Sequence, residues 1–119
     1  MSMPIKPIIL IGVLASLPAQ AQLLGRGFES NITLTRQDLD ILRETVTGKI
    51  HGHAVGATAS WTNPASGNYG TIRLVRKFDS RGLRCETVRY TLTTTRRNVA
   101  AEHYTFDSCL QPDGSWKIS

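Results

Sequence analysis

Two cysteines, Cys85 and Cys109, constrain this chain more than any other feature. They sit in two long runs rich in Thr, Val and Tyr, Leu83 to Thr95 and Val99 to Leu110, which alternate with the period of two expected of β-strands. An even pair of cysteines in an exported chain is most simply one disulfide. If the two face each other across neighbouring antiparallel strands, the residue numbers of all partners sum to 194. Val88 then meets Phe106, and Tyr90 meets Tyr104, on one face. Arg89 with Thr105, Thr91 with His103, and the disulfide itself share the other. The same sum centres the connection on Arg97 and leaves Arg96-Arg97-Asn98 as a three-residue loop. That loop type ends in a left-handed residue, which Asn tolerates. The bridge closes a loop of about 25 residues, worth about 3–4 kcal/mol on the chain-entropy account.

The oxidising compartment is read from the other end of the chain. Lys6 precedes an apolar run, Pro7 to Leu17, and Pro18-Ala19-Gln20-Ala21 follows it. The run is too short for an ordinary transmembrane helix, and the A-x-A end suits a secretory signal peptide cut after Ala21. No cysteine follows the run, so a lipid-modified N-terminus is not expected. The expected mature chain is Gln22 to Ser119, without a transmembrane segment, in the periplasm or at the cell surface and outer membrane. Losing the leader removes Lys6 alone and leaves 13 cations against 9 anions. That balance favours an anionic cell-wall or surface polymer, or another envelope protein, as partner. It is too mild, and its arginines too scattered, to indicate nucleic acid.

Residues 22–33 are Gly-rich and polar and read as a flexible leading arm. A domain is expected over residues 34–119. Thr35 suits a helix N-cap, with Asp38 returning the bond of a capping box and Leu34 and Leu39 forming a staple. Leu39, Leu42 and Val46 make an apolar stripe with Ile41 beside it, so a helix is expected from Arg36 to about Thr47, ended by Gly48. The pattern then becomes strand-like, with Ile72, Leu74 and Phe78 on one side of Gly70 to Phe78. Asp79 to Gly82 makes a turn, and Pro112 to Gly114 makes another before Trp116 and Ile118. The expected fold is α+β: one N-terminal helix on a small antiparallel meander of about four strands, with one disulfide.

The stretch W-T-N-P-A-S-G-N-Y-G (Trp61 to Gly70), a strand cysteine at Cys85, and C-L-Q-P-D-G-S-W-K-I (Cys109 to Ile118) together resemble the rickettsial 17 kDa outer-membrane surface antigen family. The likeness is to its C-terminal surface-antigen domain and covers roughly Leu34 to Ile118. It implies an envelope location and this architecture. The lipid-bearing cysteine and Gly-zipper segment of many members have no counterpart in this sequence, so anchoring does not carry over. The family supplies no catalytic residues.

The residues themselves point the same way. No Ser/His/Asp or Cys/His set, paired carboxylates or phosphate-binding Gly-rich loop stands out, so no catalytic residue and no cofactor is expected. His51 and His53 project to one side of an extended segment, and with His103 would be the residues to hold a metal. Flanking glycines, and the lack of an evident carboxylate to orient the rings, favour a solvated linker without metal. Trp61, Asn63, Pro64, Ser66, Gly67 and Asn68 are the residues of a candidate binding loop. Asn-Pro and Ser-Gly are also turn pairs, and a lone loop Trp more often anchors than grips, here under Trp116 or the helix. The expected function is a non-enzymatic surface-antigen-like protein that binds or supports another envelope component. The alternatives are an inhibitor of a hydrolase, since small disulfide-tied β-domains can plug active sites, and a small wall hydrolase.

Overall fold

The computed structural model describes residues 31–119. The expected leader and most of the arm lie outside the described residues. Helix α1 spans Arg36–Lys49 and starts as its sequence dictates. Thr35 is extended (φ −83°, ψ 164°), its hydroxyl accepts from the Asp38 N–H at 3.1 Å, and its own N–H donates to Asp38 Oδ2 at 2.8 Å. The helix passes through Gly48, where an end was expected, and is capped by Ile50, whose N–H donates to Val46 O. The reason is burial. Ile50 is wholly inaccessible and completes the stripe Leu42, Val46, Ile50. Sinking an Ile gains about 1.5–3 kcal/mol, more than the roughly 1 kcal/mol a helical Gly costs.

The sheet is an antiparallel meander in sequence order: β1 (Thr58–Asn63), β2 (Asn68–Ser80), β3 (Leu83–Thr94), β4 (Glu102–Leu110) and β5 (Trp116–Ile118). It has one strand more than the four expected. β1 lies within the segment read as linker and loop, and β2 begins at Asn68 rather than Gly70. Between β3 and β4 the register is the one that the cysteines impose: Cys85 opposite Cys109, Val88 opposite Phe106, Tyr90 opposite Tyr104. The disulfide is formed, with Cα atoms 4.0 Å apart. Asn98 takes the left-handed conformation (φ 62°). The β3–β4 connection is nevertheless wider than three residues. The ladder stops at Leu92–Glu102, and Thr93 and Thr94 continue β3 along β2 alone, paired with Tyr69 and Asn68.

A second departure lies in β2. Leu74 pairs with Val88 and Arg76 with Thr87, so Val75 is an extra residue, a β-bulge. The alternation that places Ile72 and Leu74 on the helix side is thereby reversed. Phe78 was expected on that side. It lies instead opposite Cys85 on the other face, with the Arg76 guanidinium 4.3 Å from its ring centroid.

The core fills the space between α1 and one face of the sheet. Leu42, Val46 and Ile50 meet Ala59 and Trp61 of β1, Ile72 and Leu74 of β2, and Val88, Tyr90 and Leu92 of β3. Leu34, Leu39 and Ile41 flank it, half-buried. Ile32 is also in the core, 2% exposed, and the Asn31 N–H donates to Glu102 Oε2, so the last residues of the expected arm are tied to the domain.

Candidate functional site

The candidate loop of the W-T-N-P stretch is the β1–β2 hairpin turn. Asn63 and Asn68 close it as a pair, and Gly67 takes the positive φ (79°) that returns the chain to β2. Within the turn, Ser66 N–H and Gly67 N–H both donate to Asn63 O and Ala65 N–H donates to Asn63 Oδ1, while the Gly67 carbonyl accepts from Thr95 N–H. The polar side chains turn inward onto one carboxylate. Asp38 Oδ1 accepts from Asn63 Nδ2 and Ser66 Oγ, each at 2.7 Å. Its Oδ2 accepts from Asn68 Nδ2 and the Thr35 N–H, each at 2.8 Å. Asp38 is 0% exposed. Burial pushes its carboxyl up, but the bonds from Ser66, Thr35, Asn68 and Asn63 outweigh that and hold it below the ordinary 3.8. The loop thus locks the hairpin onto the start of α1, and Pro64 and Ala65 are left exposed at its tip.

Trp61 is 3% exposed and belongs to the core beneath α1, not to Trp116. Its indole Nε1 is buried with no hydrogen-bond partner among the described residues. Gly70, its cross-strand partner, makes the room it needs. A Cβ at Gly70 would stand 3.0 Å from Trp61 Nε1 and would collide with the Thr91 carbonyl.

The three histidines go to three places. His51 is held, not solvated: Nδ1 donates to Glu86 Oε1 at 2.7 Å, Gly52 N–H donates to Glu86 Oε2 at 2.9 Å, and the ring stacks on Trp116 at 4.2 Å. Both side chains of the pair are buried. A carboxylate accepts only, so Nδ1 carries the proton. Burial lowers the His51 pKa, the bond and charge of Glu86 oppose that, and the net shift is downward. Burial, followed by the Glu86 charge, pushes the Tyr90 hydroxyl up. His53 Nε2 lies 3.2 Å from Gly48 O, and His103 Nδ1 lies 3.2 Å from Thr91 Oγ1 on the far face of the sheet. Among the described residues no group of three or more His, Cys, Asp or Glu could hold a metal ion.

The face of the sheet turned away from α1 is open. Its side chains align in rows across the strands: Thr58, Arg73, Arg89 and Thr105 in one, Ser60, Thr71, Thr91 and His103 in the next. Past the bulge, at the end of the sheet that carries the disulfide, Phe78 lines two clefts. One, of about 410 Å³, is lined by Lys77, Arg84, Glu86 and Trp116. The other, of about 500 Å³, is lined by Arg81, Asp107, Gln111 and Lys117.

Three features escaped the sequence reading. Asp38 was visible as a cap but not as the acceptor that three distant turn residues need. Glu86 carried a usable signal, because it shares the parity of Val88 and Tyr90 and so faces inward, where a carboxylate requires donors. The Arg73–Arg89 row depends on the β2–β3 register, which the cysteines do not determine.

Fold and geometry define a small α+β domain, one helix on a five-stranded meander stapled by a disulfide. The chain is similar to the 17 kDa surface antigen of Rickettsia bellii strain RML369-C, with 30% identity over 86 residues, covering 71% of this chain and 52% of the relative. The same figures hold for a second Rickettsia bellii 17 kDa surface antigen. The chain spans about half the length of the curated relatives it matches. No family model and no solved structure matches it. Among the described residues no helix is long and apolar enough to cross a membrane.

Proposed function

We propose that this chain is a non-enzymatic, exported surface-antigen-like protein that binds or supports another component of the cell envelope, in the periplasm or at the outer membrane. The observation that carries this is the likeness to the Rickettsia bellii surface antigens across most of the chain. The disulfide Cys85–Cys109 supports an oxidising compartment. The polar side chains of Asn63, Ser66 and Asn68 are engaged by Asp38 within the fold, which favours recognition by open surfaces over chemistry in the W-T-N-P loop.

Crosslinking in intact cells, followed by identification of what is attached, tests the reading. Capture of an outer-membrane protein or wall polymer is the expected result. Capture of a single hydrolase would replace it with the inhibitor reading, and turnover of wall fragments by the purified protein would replace it with an enzyme.

A further inference from the structure

Arg73 and Arg89 are direct cross-strand partners on the exposed face of the sheet. Such pairs hold their Cβ atoms about 4.5–5.5 Å apart, and like charges placed so are destabilising. Neither guanidinium has an ion-pair or hydrogen-bond partner among the described residues. Asp107, which shares this face, accepts the Thr87 hydroxyl at 2.7 Å. The flanking partners, Thr58 beside Arg73 and Thr105 beside Arg89, are hydroxyls rather than carboxylates. The fold therefore sets two cations side by side with hydroxyls at both ends of their row and the nearest carboxylate of this face, Asp107, one row away.

We propose that this face binds an acidic polysaccharide, a glycan carrying anionic groups along its length, with Arg73 and Arg89 sharing one such group. This rests on the reading that the chain binds an envelope component, and it names the surface and the chemistry. Guanidinium forks match carboxylate and phosphate oxygens, and an anion between the two arginines converts their repulsion into two charge-assisted hydrogen bonds. The Thr71 and Thr91 hydroxyls of the next row suit the alcohols of a sugar. Strand spacing sets the scale: a row of four strands spans about 14 Å, and successive rows on one face lie about 7 Å apart, so a few sugar units cover the patch. The hydroxyl-rich surface offers little to the acyl region of a membrane, which favours a glycan over a lipid surface as the occupant.

Binding of the exported full chain to polygalacturonate, to uncharged dextran and to phosphatidylglycerol vesicles tests the proposal. Polygalacturonate is expected to bind, more weakly as salt rises, and dextran is not. The double variant Arg73→Gln/Arg89→Gln should weaken binding about tenfold without lowering the unfolding midpoint. Arg96→Gln/Arg97→Gln removes the same charge from the β3–β4 connection and should weaken it less than about twofold. Equal losses in the two double variants would reduce the effect to net charge and overturn the site. So would absence of polygalacturonate binding, a lowered midpoint in the first variant, or vesicle binding that alone depends on the arginines. A photo-crosslinking residue at Thr71, compared with one at Thr47 on the exposed side of α1, separates this claim from the broader reading. Glycan attached from Thr71 supports it. An envelope component captured only from Thr47 overturns this face and leaves the function standing.

Discussion

Removing the carboxylate of Asp38 should unfold much of what this domain gains from its N-terminal half. Asp38→Ala takes the acceptor from four donors at once: Asn63 Nδ2, Ser66 Oγ, Asn68 Nδ2 and the Thr35 N–H. Three of the four keep another contact. Asn63 Nδ2 reaches Gln37 Oε1 at 3.3 Å, Ser66 Oγ reaches Asn63 O at 3.3 Å, and Asn68 Nδ2 retains Thr33 O at 2.9 Å. Hydrogen bonds to a charged group are worth about 1.5–3 kcal/mol each, and an orphaned buried donor costs about 1–3 kcal/mol. With partial rescue, the loss should be about 3–5 kcal/mol, against a stability of order 5–10 kcal/mol for a domain of this size. Urea unfolding followed by circular dichroism reads it directly. In a thermal scan each kcal/mol corresponds to about 4–8 °C. Asp38→Asn keeps one acceptor oxygen but turns an amide towards donors, and should fall between the two proteins. If Asp38 only capped the helix, the alanine variant would lose about 1 kcal/mol. A loss that small, or additivity of Asp38→Ala and Ser66→Ala within about 0.5 kcal/mol, would refute the hub.

Other consequences are separable. His51 has a lowered pKa in the fold, so the unfolded chain takes up its proton first; stability is full above 6.5 and falls as pH drops through the interval below it. Unfolding midpoints between pH 7.5 and about 5 should show that decline and His51→Gln should remove it; a flat profile in the parent protein would contradict it. Gly70→Ala drives a Cβ into the Thr91 carbonyl and should cost about 3 kcal/mol or more, an effect that an unchanged midpoint would exclude. Replacing both cysteines by Ala should cost about 2–4 kcal/mol and keep the fold, read as a shifted urea midpoint with an unchanged far-ultraviolet spectrum; a collapsed spectrum would show that the bridge specifies the fold as well as stabilising it.

The parts of this structure that the sequence made legible share a physical cause. Helix α1 was readable because Thr35, Asp38 and the 3.6-residue stripe are local signals, all within a few residues of each other. The β3–β4 register was readable although it is non-local, because a covalent bond and a period of two leave one alignment. Strand β1 was not. Its sequence, TASWTN, contains one strongly strand-forming stretch around Trp61, and the polar residues that mark it as a turn segment are buried by partners 25 to 30 residues away. The bulge had no marker either. Leu74-Val75-Arg76-Lys77 contains neither Gly nor Pro, and only the pairing with β3 shows that Val75 is the surplus residue. The W-T-N-P stretch was legible as a turn, but the inward direction of Asn63, Ser66 and Asn68 was not, because the capping pattern of Asp38 is local and these donors lie 25 to 30 residues away.

Val75 gives the sheet an unusual tolerance. Deleting one residue from a strand ordinarily exchanges its two faces, sending the core side chains into water. Here the residue before the bulge already points to the helix, and the residue after it already points away, which is the alternation of an uninterrupted strand. Excising Val75, which is 41% exposed, would leave Leu74 opposite Val88 and Arg76 opposite Thr87. Every partner from Ile72 to Phe78 would be preserved, and the strand would lose only its local kink. Excising Arg73 or Lys77 instead would throw one half of β2 out of step. Within thirteen consecutive strand residues, length is therefore flexible at one point and fixed on both sides of it.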